Sequence, residues 1–250
     1  MSIRAKKTLK RLLVALSIVL AAALCLSIWY VNDYEHADAI ALACVADKDG
    51  PIDGVEVKLV GDSYIAFVPE HASCGLVFYP GAKIQPEAYA PLMQDCARQG
   101  ILCVIVKPTF NLALLSIDAA SGAVNEFPEV TRWIMAGHSM GGVAACEYVA
   151  AHPDDAYALA LLAAYPAADL SGFRGNAVTL IGTEDLVLNR KSYENARPNL
   201  PKATREIVIQ GGNHAGFGNY GAQNNDGVAT ISPEEQQKQT ADAIESLANP

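Results

Sequence analysis

Short apolar runs alternate with amphipathic segments along most of the chain. Six segments are almost continuously apolar, as expected for strands of a parallel sheet that is covered on both faces. They lie at residues 74–79, 102–106, 132–136, 157–163, 177–181 and 204–209. Apolar residues recur at helical spacing between several of them and at the end of the chain, at residues 87–99, 116–125, 142–151, 189–195 and 233–247. Strands alternating with helices predict an α/β fold with a doubly wound, mostly parallel sheet.

A predicted hairpin and a short connection between two strands predict an antiparallel edge and an open site, respectively. Residues 55–60 and 64–68 flank the turn Gly61-Asp62 and are typical of a β-hairpin. Only the short segment 164–176 separates two later strands, which leaves little room for a helical insertion. We therefore expect no large lid, and a shallow cleft at the carboxyl ends of the parallel strands.

The beginning of the chain predicts one transmembrane helix. Five basic residues and no acidic residue precede Leu12, and residues 12–31 are apolar without a charge. Twenty helical residues span roughly 30 Å, the thickness of a bilayer core. Three alternatives remain: a signal cleaved after Ala39, a lipoprotein at Cys25, whose preceding Leu24 is too bulky for that signal, and a buried core helix.

This segment also predicts the domain organisation and location. Residues 1–11 form a basic cytoplasmic flank, residues 12–31 the transmembrane anchor or uncleaved signal, and residues 32–250 the α/β domain. The basic flank favours a single-pass protein of the cell membrane, with its N-terminus in the cytoplasm and the domain outside. Residues 33–43 are predicted to be helical, which leaves little room for a linker.

Charge and cysteine spacing narrow the function classes. Five of the 18 Lys and Arg precede Leu12, so 13 remain against 27 Asp and Glu and leave a formal charge of −14. Such an acidic domain argues against a nucleic-acid partner. The six cysteines form no C-x-x-C and the chain has no H-E-x-x-H, so a zinc site is not expected. Cys44 and Cys74 are either buried thiols or a disulfide pair.

One motif carries candidate chemistry. Gly137-His138-Ser139-Met140-Gly141 follows a predicted strand and precedes a predicted helix, and it fits the nucleophile elbow G-x-S-x-G. In that elbow a strained turn exposes the serine hydroxyl, and glycine at both ends relieves crowding. The alternative is that Ser139 only caps the helix, since serine is a favoured N-cap.

Partners for Ser139 must also follow strands. His36 and His71 precede the motif, His152 ends the following helix, and His138 points away from its neighbour, which leaves His214 just after the last strand. Glu184 and Asp185 follow the strand before it, and we prefer Asp185, with Glu184 as the alternative. The order Ser, Asp, His is that of an α/β-hydrolase triad.

The remaining site residues are predicted from position. The N–H of Met140, at the start of a helix, and the N–H of Ala82, after the strand at 74–79, are the expected oxyanion donors. Gly81 is the alternative to Ala82, and Pro80 has no N–H. Tyr165, Phe217 and Tyr220 are candidates to line the substrate cleft, unless these aromatic side chains pack within the loops.

Residues from about 55 to 250 resemble the α/β-hydrolase superfamily. The likeness rests on FYPGAK at 78–83, GHSMGG at 137–142, GTEDL at 182–186 and GGNHAGFGNYG at 211–221. Together they are most similar to the small dienelactone-hydrolase-like family, the fifth alpha/beta-hydrolase-fold group. The resemblance implies a serine hydrolase domain, often exported or anchored, without a defined substrate. Dienelactone hydrolases themselves use a cysteine nucleophile, so their particular reaction does not transfer.

The predicted function is hydrolysis of an ester or related acyl substrate by Ser139, His214 and Asp185 through an acyl-enzyme. This chemistry requires no cofactor. The predicted partners are a small-molecule acyl substrate and, through the N-terminal helix, the membrane. A peptidase or acyltransferase would use the same residues, and a catalytically silent, membrane-tethered binding module is the alternative of a different class.

Overall fold

The computed structural model describes residues 3–46, 50–51 and 53–249. Contacts divide the chain into two compact units, Met1–Tyr34 and Glu35–Pro250. The first unit is one helix, α1 (Ile3–Asn32), and apolar side chains along it such as Leu16, Ile18 and Leu26 are more than half exposed. Its stretch Lys10–Asn32 is long and apolar enough to cross a membrane. The predicted membrane helix is therefore present as a candidate span, and a signal sequence would share these properties.

The second unit is built on one eight-stranded sheet with the order β1-β2-β4-β3-β5-β6-β7-β8. β1 and β2 form an antiparallel hairpin, β2 pairs antiparallel with β4, and all other neighbours are parallel. The predicted doubly wound sheet with an antiparallel edge is confirmed. Its strands are β1 (Val55–Val60), β2 (Tyr64–Pro69), β3 (Cys74–Tyr79), β4 (Ile101–Val106), β5 (Trp133–His138), β6 (Ala158–Leu162), β7 (Asn176–Gly182) and β8 (Arg205–Ile209).

The central strands are apolar throughout because helices cover both faces of the sheet. Every residue of β3, β4, β5 and β6 is buried. Alternate side chains enter opposite cores: Phe78 joins the core that contains Leu92 and Ile244, and Val77 joins the core that contains Tyr148. This is the two-sided burial that continuous apolar runs indicate.

Most helices of the second unit contribute to one of these two cores, and Tyr193 of the short helix at residues 190–196 packs instead in a third, small cluster with Ile181 and Leu188. Residues of α2, α3 and α7 contribute to the first core, and residues of α4 and α5 to the second. A short 3₁₀ helix, Pro86–Tyr89, leads directly into α3. The helices are α2 (Ala39–Val45), α3 (Ala90–Arg98), α4 (Ala119–Glu126), α5 (Met140–Ala151), α6 (Arg190–Ala196) and α7 (Pro233–Ala248).

The helix predicted at residues 33–43 is wrong in its first half. Glu35 forms an isolated bridge with Ile84, its N–H donates to the Lys83 carbonyl (2.7 Å), and its carbonyl accepts from the Gln85 N–H (2.9 Å). This pairing holds the backbone extended, and the helix begins only after Asp38. The Asp38 carboxylate caps it by accepting the Ala41 N–H.

Two other expectations concern the loops and the cysteines. Residues 163–175, all described, contain no helix between β6 and β7, so no lid is present there. Cys74 is a buried thiol rather than a disulfide partner, and burial raises its pKa to about 11. Cys96, Cys103 and Cys146 are also buried.

Candidate active site

Loops at the carboxyl ends of the parallel strands surround a cleft of about 220 Å³. Ser139 follows β5, Tyr165 follows β6, Leu188 and Asn189 follow β7, and His214 follows β8. The lining also includes Met140, Val143, Ala163, Ala164 and Val187. Residues far apart in the chain therefore meet at one opening because parallel strands end at the same edge of the sheet.

Ser139 occupies a strained turn and does not cap the helix that follows it. Its φ of 52° and ψ of −121° place it outside the conformations that most residues adopt, and its side chain makes no cap hydrogen bond. Ser232 provides the contrast, because it has extended backbone and its hydroxyl accepts the Glu235 N–H at the start of α7. The Ser139 hydroxyl is thus left available for another role.

The glycines of the elbow are required by close packing. A Cβ on Gly141 would collide with the carbonyl oxygens of Tyr79 and Pro80, at the end of β3. A Cβ on Gly137 would collide with the Gly141 backbone. Absence of a side chain therefore allows the start of α5 to lie directly against β5 and the turn after β3.

His214 and Asp185 form a buried pair. The ring nitrogen Nδ1 of His214 lies 2.9 Å from Oδ2 of Asp185, and their side chains are 2% and 0% exposed. The other oxygen of Asp185 accepts the N–H groups of Val187 (2.9 Å) and Leu188 (2.8 Å). Glu184 instead accepts the hydroxyl of its neighbour Thr183 (3.0 Å) and is partly exposed.

These contacts determine the charge of Asp185. Burial acts to raise its pKa, but the hydrogen bond and charge of His214, together with the N–H groups of Leu188 and Val187, outweigh burial and hold the pKa below its usual value. Asp185 is therefore a carboxylate near neutral pH, and an anionic partner on Nδ1 leaves the proton of a neutral His214 on that atom. Nε2 is then the basic nitrogen.

Nε2 of His214 is buried and has no hydrogen-bond partner among the residues that the structure describes. It belongs to a side chain that lines the same cleft as Ser139. Buried polar atoms without a partner are rare in folded proteins, and they concentrate where a ligand or a reacting group is to be bound. The arrangement can accept a proton from a hydroxyl inside the cleft.

Two polar residues that were not predicted from the sequence support the loop of His214. Gln236, on α7, accepts the Asn213 N–H (3.1 Å) and donates to the Asn213 carbonyl (2.8 Å). Asp226 accepts the N–H groups of Ala215 (2.9 Å) and Leu186 (3.3 Å), so it connects the loop of His214 to the loop of Asp185. The available sequence signal for Gln236 was a polar residue at helical spacing from the apolar residues Ile244 and Leu247.

The predicted oxyanion donors lie where two elements meet. Met140 is the first residue of α5, where N–H groups lack an intrahelical acceptor. The N–H of Gly81 donates to the hydroxyl of Tyr89 (3.1 Å), so Gly81 is already occupied. Within residues 53–249 the N–H of Ala82 has no hydrogen-bond acceptor, and Ala82 is half-buried in the turn beside Gly141.

Of the three aromatic residues predicted to line the cleft, only Tyr165 does so. Phe217 is fully buried and packs against the His138 ring, with ring centroids 5.6 Å apart. Tyr220 is buried in the same core, and its hydroxyl donates to Gln223. The turn Ala215–Phe217 directs these side chains inward, where aromatic burial is most favourable. Val143, one helical turn after Ser139, lines the cleft instead.

Comparison with known proteins gives a family and a fold. A family model described as the alpha/beta hydrolase family matches residues 75–238. No curated protein sequence matches the chain significantly.

Solved structures resemble the chain at low identity. A membrane phospholipase A described as a bacterial virulence factor shares 16% identity, over 96% of this chain and 100% of that one, with a TM-score of 0.60. Dienelactone hydrolase from Anabaena variabilis shares 14% identity, over 77% and 96%, with a TM-score of 0.58. A predicted CIB-like hydrolase from Thermoplasma acidophilum shares 14% identity, over 77% and 98%, with a TM-score of 0.57.

Proposed function

Because the chain belongs to the alpha/beta hydrolase family, we propose that it is a membrane-anchored serine hydrolase that cleaves esters with an apolar acyl group. Ser139 is the nucleophile, His214 the general base and acid, and Asp185 the residue that orients His214. The N–H groups of Met140 and Ala82 are the oxyanion donors. Family membership supports hydrolase activity, and the site supports the finer assignment.

The reaction proceeds in two halves. Nε2 of His214 takes the hydroxyl proton as Oγ of Ser139 attacks the acyl carbonyl, and Asp185 stabilises the imidazolium that results. Donors at Met140 and Ala82 bind the oxyanion, the C–O bond to the alcohol breaks, and His214 returns the proton to that alcohol. Water, activated by His214, then attacks the acyl-enzyme and releases the acid.

One observation carries this proposal: His214 has its Nδ1 bonded to a buried carboxylate while its buried Nε2 has no partner among the described residues. Buried nitrogens without a partner are rare in folded proteins. Nε2 of His138 is also unpartnered among the described residues, but its Nδ1 is bonded to the hydroxyl of Tyr89 and not to a carboxylate. The unpartnered nitrogen of His214 belongs to the cleft that Ser139 lines in a strained turn. Strain at Ser139 supports the same role, because the turn makes no cap hydrogen bond that would offset it.

The lining of the cleft indicates the substrate class. Val143, Val187 and Leu188 contribute apolar wall, as does Met140, which is 41% exposed, and Leu186, the chain neighbour of Val187, is 71% exposed. Exposed apolar side chains around an opening favour an apolar ligand. We expect kcat/KM to rise by about fourfold for each methylene that the acyl chain buries, which corresponds to about 0.8 kcal/mol.

The location follows from the N-terminal helix and its flank. Lys10–Asn32 holds the chain in the bilayer, the five basic residues before Leu12 keep the N-terminus in the cytoplasm, and the hydrolase domain faces the outside. The substrate is therefore one that reaches the outer surface of the membrane.

Labelling of the full chain in detergent with a fluorophosphonate tests the proposal. Wild type is expected to label at one serine and to hydrolyse p-nitrophenyl butyrate, and Ser139→Ala is expected to lose both while it melts at an unchanged temperature. Ser232→Ala is the matched control, because it removes a capping serine that does not line the cleft and should label like wild type. Equal labelling of wild type and Ser139→Ala would eliminate Ser139, and a folded wild type that never labels would support a binding module instead.

A further inference from the structure

His138, directly before Ser139, is fully buried and has no part in the reaction proposed above. Its Nδ1 lies 2.8 Å from the hydroxyl of Tyr89, a residue 49 positions earlier that is also fully buried. The same hydroxyl accepts the N–H of Gly81 (3.1 Å), in the turn that carries the proposed oxyanion donor Ala82. One hydroxyl group thus joins the oxyanion turn to the nucleophile elbow.

The contact also determines the proton positions. Burial raises the pKa of Tyr89 far above its usual value, so its hydroxyl keeps its proton. That hydroxyl already accepts from Gly81, and its only proton is available for Nδ1 of His138. Nδ1 is therefore the acceptor and Nε2 carries the ring proton. The pKa of His138 is held well below its usual value, mainly by burial and secondly by the charge of His214. A contact with the backbone of His214 acts to raise this pKa but is outweighed.

A neutral His138 lies against the proposed general base. The rings of His138 and His214 are 4.5 Å apart between centroids at an interplanar angle of 50°, and Phe217 packs on His138 at 5.6 Å. This tilted ring contact restricts the orientation of the His214 ring, whose only hydrogen bond among the described residues is at Nδ1. A positive charge on His138 at this separation would oppose formation of the His214 imidazolium, and a neutral His138 ring avoids that cost.

We infer that Tyr89 and His138 are a positioning pair, which aligns the oxyanion turn through Gly81 and the ring of His214 through the contact between the two histidine rings. The inference rests on the proposed hydrolase function. A Cβ on Gly81 would come within 3.0 Å of both Nδ1 of His138 and the Tyr89 hydroxyl, so the turn lies directly on the pair. Neither residue touches the substrate. Both act through groups that do.

Tyr89→Phe removes only the hydroxyl and tests the pair. We expect kcat to fall by about 10- to 100-fold with KM changed less than about twofold, because misalignment weakens transition-state rather than substrate binding. Affinity for a trifluoromethyl ketone, which forms a tetrahedral adduct with a nucleophilic serine, should fall by the same factor as kcat/KM. Tyr148→Phe is the matched control: its hydroxyl bonds to Ser121 and Asp155, away from the cleft, and kcat should not change.

A double-mutant cycle with His138→Phe tests whether the two residues act as a unit. The aromatic ring is kept while the acceptor for Tyr89 is lost, so the loss in the double variant should be smaller than the product of the two single losses. Multiplicative losses would contradict the pair.

Active-site titration separates positioning from damage to the fold. Partial unfolding would lower the fraction of chains that label with fluorophosphonate, but kcat per labelled site would stay at the wild-type value. If the variant gives that outcome while wild type labels and turns over, the positioning pair is contradicted and the proposed function is not. A wild type that does not label overturns the proposed function and the pair with it.

Discussion

Replacing Asp185 by asparagine tests the proposed role of His214 with little change in shape. Oδ1 of Asp185 accepts two backbone N–H groups, from Val187 and Leu188, and an asparagine oxygen can keep both bonds. The amide NH₂ must then occupy the position of Oδ2, 2.9 Å from Nδ1 of His214. An NH₂ group only donates, so Nδ1 becomes the acceptor and the ring proton moves to Nε2. His214 then has no free nitrogen to receive the proton of Ser139.

The expected loss is therefore chemical. By analogy with other triads, kcat should fall by about 10⁴. This corresponds to about 5 kcal/mol in activation free energy. The assay is steady-state hydrolysis of p-nitrophenyl butyrate per folded chain, together with the rate of fluorophosphonate labelling, and a thermal melt establishes that the variant is folded.

Glu184→Gln is the control at the neighbouring carboxylate. Glu184 accepts a hydrogen bond from Thr183 and none from His214, so its loss should change kcat by no more than about twofold, as at an ordinary surface position. A kcat within tenfold of wild type for Asp185→Asn, or a larger loss for Glu184→Gln, would refute the assignment of Asp185.

Three further predictions concern support, charge and location. Gln236→Leu leaves the Asn213 N–H and carbonyl without their partner, and should lower the free energy of unfolding by about 1–3 kcal/mol and lower kcat, while Gln239→Leu on the exposed side of α7 should change neither. Because the pKa of Asp185 lies below its usual value, its carboxylate stabilises the fold above about pH 4, and this contribution is lost as pH falls through the lowered pKa. Chemical denaturation should show that the free energy of unfolding of wild type exceeds that of Asp185→Asn by less and less between pH 5 and pH 3. A difference that grows over this range would contradict the sign. Membrane fractions should keep activity after salt and alkaline washes, protease added to intact cells should remove the domain, and the isolated protein should begin near Met1; an N-terminus at Ile40 would instead show cleavage after Ala39, and protection in intact cells would contradict the orientation.

Local patterns in the sequence were sufficient for much of the architecture. Apolar runs identified the strands, because a strand that is buried on both faces tolerates few polar residues. The extent of the sheet limits the length of each run. The apolar run at residues 12–31 identified the candidate span by length and composition. The spacing of Gly137, Ser139 and Gly141 identified the elbow, because a strained turn between a strand and a helix leaves few residue types possible.

Contacts between distant segments could not be predicted from such patterns. Sequence order made both Glu184 and Asp185 candidates, and only the path of the loop directs Asp185 inward to His214. The helix predicted at residues 33–43 failed in its first half because pairing of Glu35 with the turn after β3 outweighs a weak local helix preference.

The surroundings of the site were decided in the same way by tertiary packing. Phe217 and Tyr220 lie in the loop after His214, yet burial in the core stabilises them more than exposure at the cleft would. The contact from Gly81 through Tyr89 to His138 joins three segments that carry no shared motif. A local pattern records what one element requires of its own residues, whereas the position of a hydroxyl beside a distant ring depends on how the helices and strands pack together.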